Sequence, residues 1–420
     1  MADVNLLLFG VALIIFFGFM AEFIFKKIGV PDILLLVMLG FLLGPNVWNT
    51  VDPAVLETIA PLFTTFALMF LMFEGSTHID LGSFARGLFS GSSISIFNFT
   101  ISSLALTTIL ALVFSFEFMT ALLIGFVLSG VSSAFVIPVL KQLKPRGDIY
   151  TMLTLESALT DVYTIVFALT VLQIIKINAV SFQAVLNQIA SLFAIACFVG
   201  FIGAMIWIFL DSNVFRGSKG FMSTIAFLIL LFLLTEYLGG NGAIASMFFG
   251  IFLKNSKQLT SILSWVKTKN EKEKKLALEG RLGVTVISEG EERFFAQISF
   301  FLKTFFFVYI GFLLNVSNWW AILIGVVLAV VILFIRKSSI LLTKKLNKGE
   351  QDLINAVFAR GLAAAAVIQI VMQSGVLTDP LILDITYITI VSTIILSSAM
   401  ILIHKIRYKD VSSAESASEE

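Results

Sequence analysis

Apolar runs of about twenty residues recur from one end of this sequence to the other, and they exclude most folds before any single residue is considered. A helical run of that length matches the ~30 Å hydrocarbon core of a bilayer. A soluble domain could not carry so many without exposing them and aggregating. Hydrophobic residues make up 58% of the 420 and charged residues 13%, against roughly 45–50% and ~25% in soluble domains. The 43 phenylalanines are therefore read as lipid-facing or packing residues. The predicted class is an all-α integral membrane protein, because a helix satisfies its own backbone where no water can.

Hydropathy and turn residues place thirteen spans, near 5–25, 31–46, 55–74, 87–115, 118–140, 149–176, 184–210, 220–238, 240–254, 294–315, 318–343, 352–374 and 379–404. The basic residues test this parse independently, because Lys and Arg of short loops collect on the cytoplasmic side. Most of the 28 follow odd-numbered spans: Lys26 and Lys27, Arg86, Lys141 to Arg146, Arg216 and Lys219, the stretch Lys254 to Arg293, Lys337 to Lys348, and Lys405 to Lys409. After the even-numbered spans comes only Lys176. The predicted location is the cell membrane, multi-pass, with the N-terminus outside and the C-terminus cytoplasmic. Lys26 and Lys27 follow the first run instead of preceding it, unlike a signal peptide's basic leader, so that run is expected to be retained. A net charge of +1 points to no nucleic-acid partner, and the single cysteine, Cys197, is read as a small core residue.

Two six-helix halves joined by one extra helix must have opposite orientations, the arithmetic of the inverted repeats found in secondary transporters. Spans 1 to 6 and 8 to 13, with span 7 as linker, fit that scheme, although no clear sequence identity links the halves. Residues 255–293, with lysines, glutamates and Trp265, read as an amphipathic cytoplasmic connection on the membrane surface, or else as a disordered linker. The acidic tail 411–420, ending SSAESASEE, reads as disordered.

Charged residues inside spans cost several kcal/mol unless paired or hydrated, so they mark ion pathways. Span 6, TMLTLESALTDVYTIVFAL, carries Glu156 and Asp161. On a helix Ser157 and Asp161 share one stripe, while Glu156 and Thr160 share the next, so the two acids face different neighbours. One can line a hydrated cavity and bind a hard cation through an oxygen shell. The other can pair with a buried arginine, Arg336 or Arg360. A solitary Asp161 is a group for which protons and cations compete. Span 5 contains LSGVSSAFVIPVL, where Gly130, the hydroxyls of Ser129, Ser132 and Ser133, and Pro138 permit a local break. Glu74 ends span 3 as a mouth or ligand residue, or an ordinary interfacial acid. His78 reads as a loop residue, and Lys303 is expected to snorkel to the inner surface. No HExxH, GxSxG or metal-ligand cluster suggests an enzyme, and a passive channel has less use for paired intramembrane charges.

On these residues the chain resembles the monovalent cation/proton antiporter superfamily, in particular its NhaP-like sodium/proton branch, over roughly residues 5–405. The branch's E-S-x-x-N-D motif is matched by Glu156, Ser157 and Asp161, with Thr160 where Asn is usual. Its F-E-G is matched by Phe73, Glu74 and Gly75, and its late span-11 arginine by Arg336. Its span-12 R-G pair is matched by Arg360 and Gly361, and 299–314 resembles its tenth helix.

The resemblance implies a homodimer whose transmembrane domain, 1–410, has dimer helices 1–3 and 8–10 and core helices 4–6 and 11–13, with spans 5 and 12 broken and crossing at the site. It implies antiport of sodium (or lithium) for protons by alternating access, without a cofactor. Asp161 would bind either ion, with Ser157, Thr160, Glu74, Val131, Ser132 and Ser133 as candidate ion-binding residues and Ser157 and Glu74 foremost as cation ligands, and Glu156 forms a structural pair with Arg336 first and Arg360 second. Val131, Ser132 and Ser133 stand where the branch carries T-D-P. That serine-rich break resembles the potassium-efflux branch, which makes a potassium/proton antiporter the alternative.

Overall fold

The computed structural model describes residues 2–28, 31–45, 47–48, 53–77, 81–177, 182–215, 220–257 and 286–416. Among them lie fifteen α-helices: α1 (Ala2–Ile28), α2 (Asp32–Leu43), α3 (Pro53–Ser76), α4 (Leu81–Leu112), α5 (Phe118–Val127), α6 (Ser133–Leu143), α7 (Gly147–Ile177), α8 (Phe182–Phe209), α9 (Phe221–Tyr237), α10 (Gly242–Lys254), α11 (Glu289–Leu313), α12 (Trp319–Arg336), α13 (Lys348–Ala356), α14 (Leu362–Gln373) and α15 (Pro380–Ser416). Each predicted run holds one helix, except runs 5 and 12, which hold two each (α5 with α6, α13 with α14).

The protein is a multi-pass membrane protein. Among the described residues, seven helices are long and apolar enough to cross a bilayer, and a further seven are apolar but shorter. On α1, Phe9, Phe16, Phe19 and Phe23 are all exposed, which is stable only against lipid. The last helix continues to Ser416, across most of the stretch 411–420 expected to be disordered. Most of the 255–293 connection, from 258 to 285, and His78 lie outside the described residues.

Contacts divide the chain into two compact units. The first comprises Met1–Thr64, Gly87–Ala179 and Phe301–Glu420. Within it α7 packs against α5, α6 and α14, while α15 packs against α12, α13 and α14. Two features hold α2 against α11. Backbones meet directly: a Cβ placed on Gly311 would lie 2.0 Å from the carbonyl oxygen of Val37, so no larger residue fits. Nearby, Lys303 Nζ donates to Asp32 Oδ2 at 2.5 Å, with Asp32 buried. Lys303 therefore does not snorkel. A carboxylate at the start of α2 that is shut away from water needs a counter-charge, and the lysine supplies it.

The second unit comprises Thr65–Arg86 and Val180–Phe300. There α8, α9 and α10 pack mutually, around edge-to-face and tilted contacts of Phe73 with Phe249 and Phe295. Lys254 pairs with Glu292 at 2.5 Å.

Candidate functional site

The site is built where two helices come apart. Run 5 stops being helical after Val127 and resumes at Ser133, leaving Leu128 to Ser132 unwound. Pro138 lies inside α6, so the serines and Gly130, not the proline, mark the break. Gly130 is needed for space: a Cβ there would come within 2.3 Å of Thr164 Oγ1 and 2.9 Å of the Thr160 carbonyl. Run 12 unwinds in the same way over Val357 to Gly361, and a Cβ on Gly361 would meet Ser132 Oγ at 2.3 Å.

Backbone groups released inside a membrane protein must find other partners. Here they find each other and the neighbouring helices. Ser132 N donates to the Ala359 carbonyl at 2.9 Å, tying one break to the other. Val131 N donates to Thr160 Oγ1 on α7 at 3.0 Å. Arg360 N donates to Thr393 Oγ1 on α15 at 3.0 Å. Ser397, one turn further along α15, donates to the Ala356 carbonyl at 2.5 Å and accepts from Phe358 N at 3.5 Å.

Asp161 sits on α7 beside the first break and is buried. Its Oδ2 accepts from Ser133 Oγ at 2.6 Å and from Ser133 N at 3.3 Å. These two donors come from the first turn of α6, where the helix dipole favours negative charge. No Lys or Arg among the described residues forms an ion pair with this carboxylate.

Glu156, five residues earlier, is in the opposite condition. It pairs with Arg336, not Arg360: both terminal nitrogens of Arg336 reach it, Nη2 at 2.9 Å and Nη1 closer still. Asn98 Nδ2 adds a bond at 2.7 Å and Asn98 Oδ1 accepts from Ser339 at 3.0 Å, while Arg336 Nε donates to the Ile354 carbonyl at 2.8 Å. The network joins α7, α12, α4 and α13. Arg360 stands apart, buried, with Nε and Nη1 lacking a partner among the described residues. A small cavity is lined by Asn98, Ser102, Val131, Ile332, Ile335, Arg336 and Arg360.

Of the other candidate ligands, Ser157 spends its hydroxyl on the Thr154 carbonyl at 3.0 Å. Thr160 is engaged by the backbone of Val131, so it shapes the break. Ser132 Oγ is buried with no partner among the described residues. Glu74 is half-buried near the end of α3 and belongs to the second unit. Sequence reasoning missed Asn98, Asp32, Thr393 and Ser397. Asn98, an amide inside the apolar run SISIFNFTISS, and Asp32, at the head of span 2, could have been flagged as intramembrane polar groups. A hydroxyl on a helix gave no such signal, because most return to their own turn.

A family model described as "Sodium/hydrogen exchanger, transmembrane" matches residues 11–403. The chain belongs to this family. Among curated sodium/hydrogen exchanger relatives, the K(+)/H(+) antiporter NhaP2 of Shewanella oneidensis is 22% identical over 55% of this chain and 40% of its own length. The Probable Na(+)/H(+) antiporter 2 of Methanocaldococcus jannaschii is 27% identical over 41% of this chain and 39% of its own length. The chain thus spans about two fifths of the curated relatives it matches. In fold, this family member is similar to the sodium proton antiporter MjNhaP1 of M. jannaschii, with a TM-score of 0.72 at 18% identity, covering 97% of this chain and 98% of that one.

Proposed function

We propose that the protein is a secondary antiporter that exchanges sodium (or lithium) for protons, with Asp161 binding either ion. One observation carries this reading: a buried carboxylate, held among the described residues only by the hydroxyl and N–H of Ser133, lies beside an unwound helix. Such a group keeps acceptor capacity for a cation or a proton, and the unwound backbone supplies further oxygens. The neighbouring carboxylate, Glu156, is committed to Arg336 and does not compete. With one exchanging carboxylate, the proton-loaded and cation-loaded forms carry the same charge, which supports electroneutral 1:1 exchange.

In this reading the chain is a homodimer with its N-terminus outside. Its thirteen spans form inverted repeats, and core helices move past dimer helices to switch access. Ser132, whose hydroxyl has no partner among the described residues, and Ser133 are the first candidates to complete the cation's shell. Potassium is the second candidate ion, favoured by the serine-rich break and by the relative named for potassium/proton antiport.

The test is proton movement in proteoliposomes on adding sodium, lithium or potassium, for the wild type and Asp161→Asn, from pH 5 to pH 10. The expected result is a cation-driven response that falls at both ends of the range and is absent in the folded Asn variant. A response to potassium alone would reassign the ion. An unchanged response in Asp161→Asn would remove Asp161 from the site.

A further inference from the structure

The two breaks are held by the same device. The helix that follows each broken pair presents a threonine hydroxyl to a backbone N–H of the unwound segment: Thr160 of α7 accepts from Val131 N, and Thr393 of α15 accepts from Arg360 N, each at 3.0 Å. Both threonines are fully buried. The equivalence then fails at the next residue, because Asp161 follows Thr160 whereas buried Ile394 follows Thr393. The second break therefore has the scaffold of an ion site without the carboxylate.

From Thr393 a continuous chain of hydrogen bonds leads back to the first break. Thr393 Oγ1 itself donates to the Ile390 carbonyl at 2.8 Å, which fixes its orientation toward the Arg360 N–H. Arg360 N is anchored there. The adjoining Ala359 carbonyl accepts from Ser132 N at 2.9 Å, and Ser133, the next residue, makes both bonds to Asp161 Oδ2. A shift of the 357–361 segment moves the Ala359 carbonyl, and with it the start of α6 that holds the carboxylate.

We propose that Thr393 is a positioning residue for cation binding: through the Arg360 N–H and the Ala359 carbonyl it sets where Ser132 and Ser133 stand relative to Asp161. The inference rests on the reading of Asp161 as the exchanging group. Thr393→Val keeps the shape and removes the acceptor, leaving a buried N–H unpaired. Thr393→Ser keeps the acceptor.

The experiment measures apparent KM for sodium and maximal rate in proteoliposomes for the wild type, Thr393→Val, Thr393→Ser and Asp161→Asn, each checked for a monodisperse folded peak. The expected result is an apparent KM raised on the order of tenfold in Thr393→Val, a smaller change in maximal rate, and restoration in Thr393→Ser. Should Thr393→Val not fold, Thr393→Ala with the same Ser comparison takes its place. A folded variant without the hydroxyl that keeps the wild-type KM overturns the inference while leaving Asp161 in place. Full exchange by Asp161→Asn overturns both.

Discussion

Glu156 and Arg336 hold each other's charge inside the protein, so removing either one destabilises the fold, and by different amounts. Glu156 is fully buried and accepts from both terminal nitrogens of Arg336 and from Asn98. Removing one partner of such a pair costs about 3–5 kcal/mol, because the other is left as an uncompensated buried charge. The two removals are not equal here. Glu156→Gln leaves Arg336 and Arg360 lining one small cavity with no carboxylate between them, and should fall at the upper end, ~5 kcal/mol. Arg336→Gln leaves Glu156 with Asn98 and with Arg360 within electrostatic reach, and should fall at the lower end, ~3 kcal/mol. The double variant removes both charges and should cost no more than about 3 kcal/mol, giving a coupling energy of several kcal/mol. The assay is reversible unfolding in mixed detergent micelles, followed by tryptophan fluorescence, for the four proteins. Costs that add to within ~0.5 kcal/mol, or an Arg336→Gln variant less stable than Glu156→Gln, would refute the electrostatic account.

Two further outcomes follow from the packing. Ser133→Ala removes the 2.6 Å bond to Asp161 and keeps the backbone one; we expect exchange to persist with apparent cation affinity weakened on the order of tenfold, read from the sodium dependence of the rate, and an unchanged KM would count against the contact. Gly311→Ala forces a methyl to 2.0 Å from the Val37 carbonyl oxygen, where only backbone could yield; thermal unfolding should show a loss of about 3 kcal/mol or more, whereas Gly10→Ala, inside α1 with nothing within 4 Å of the added atom, should cost nothing and gain up to about 1 kcal/mol from helix propensity.

The length and spacing of the apolar runs determined the class and the positions of the helices, because twenty residues that cannot be solvated have one place to go. The charges within those runs singled out Glu156, Asp161, Arg336 and Arg360, since a membrane interior tolerates few such groups. The weakness of run 5 was also legible, in Gly130 and its serines. Run 12 carries no comparable local signal in its VFARG segment, and its opening had to be inferred from likeness to a family.

Partnerships were decided only by the tertiary structure. Arg336 and Arg360 look alike in sequence, yet one closes a bidentate pair with Glu156 and the other keeps two donors without a partner among the described residues. Lys303 reads as a surface anchor until Asp32 is placed beside it. Thr393 becomes meaningful only when Arg360 N lies within 3.0 Å. Hydrophobicity acts residue by residue and is summed along the chain, so it can be read in order. A hydrogen bond or ion pair depends on a few tenths of an ångström between helices far apart in sequence, and that distance exists only once the helices have packed.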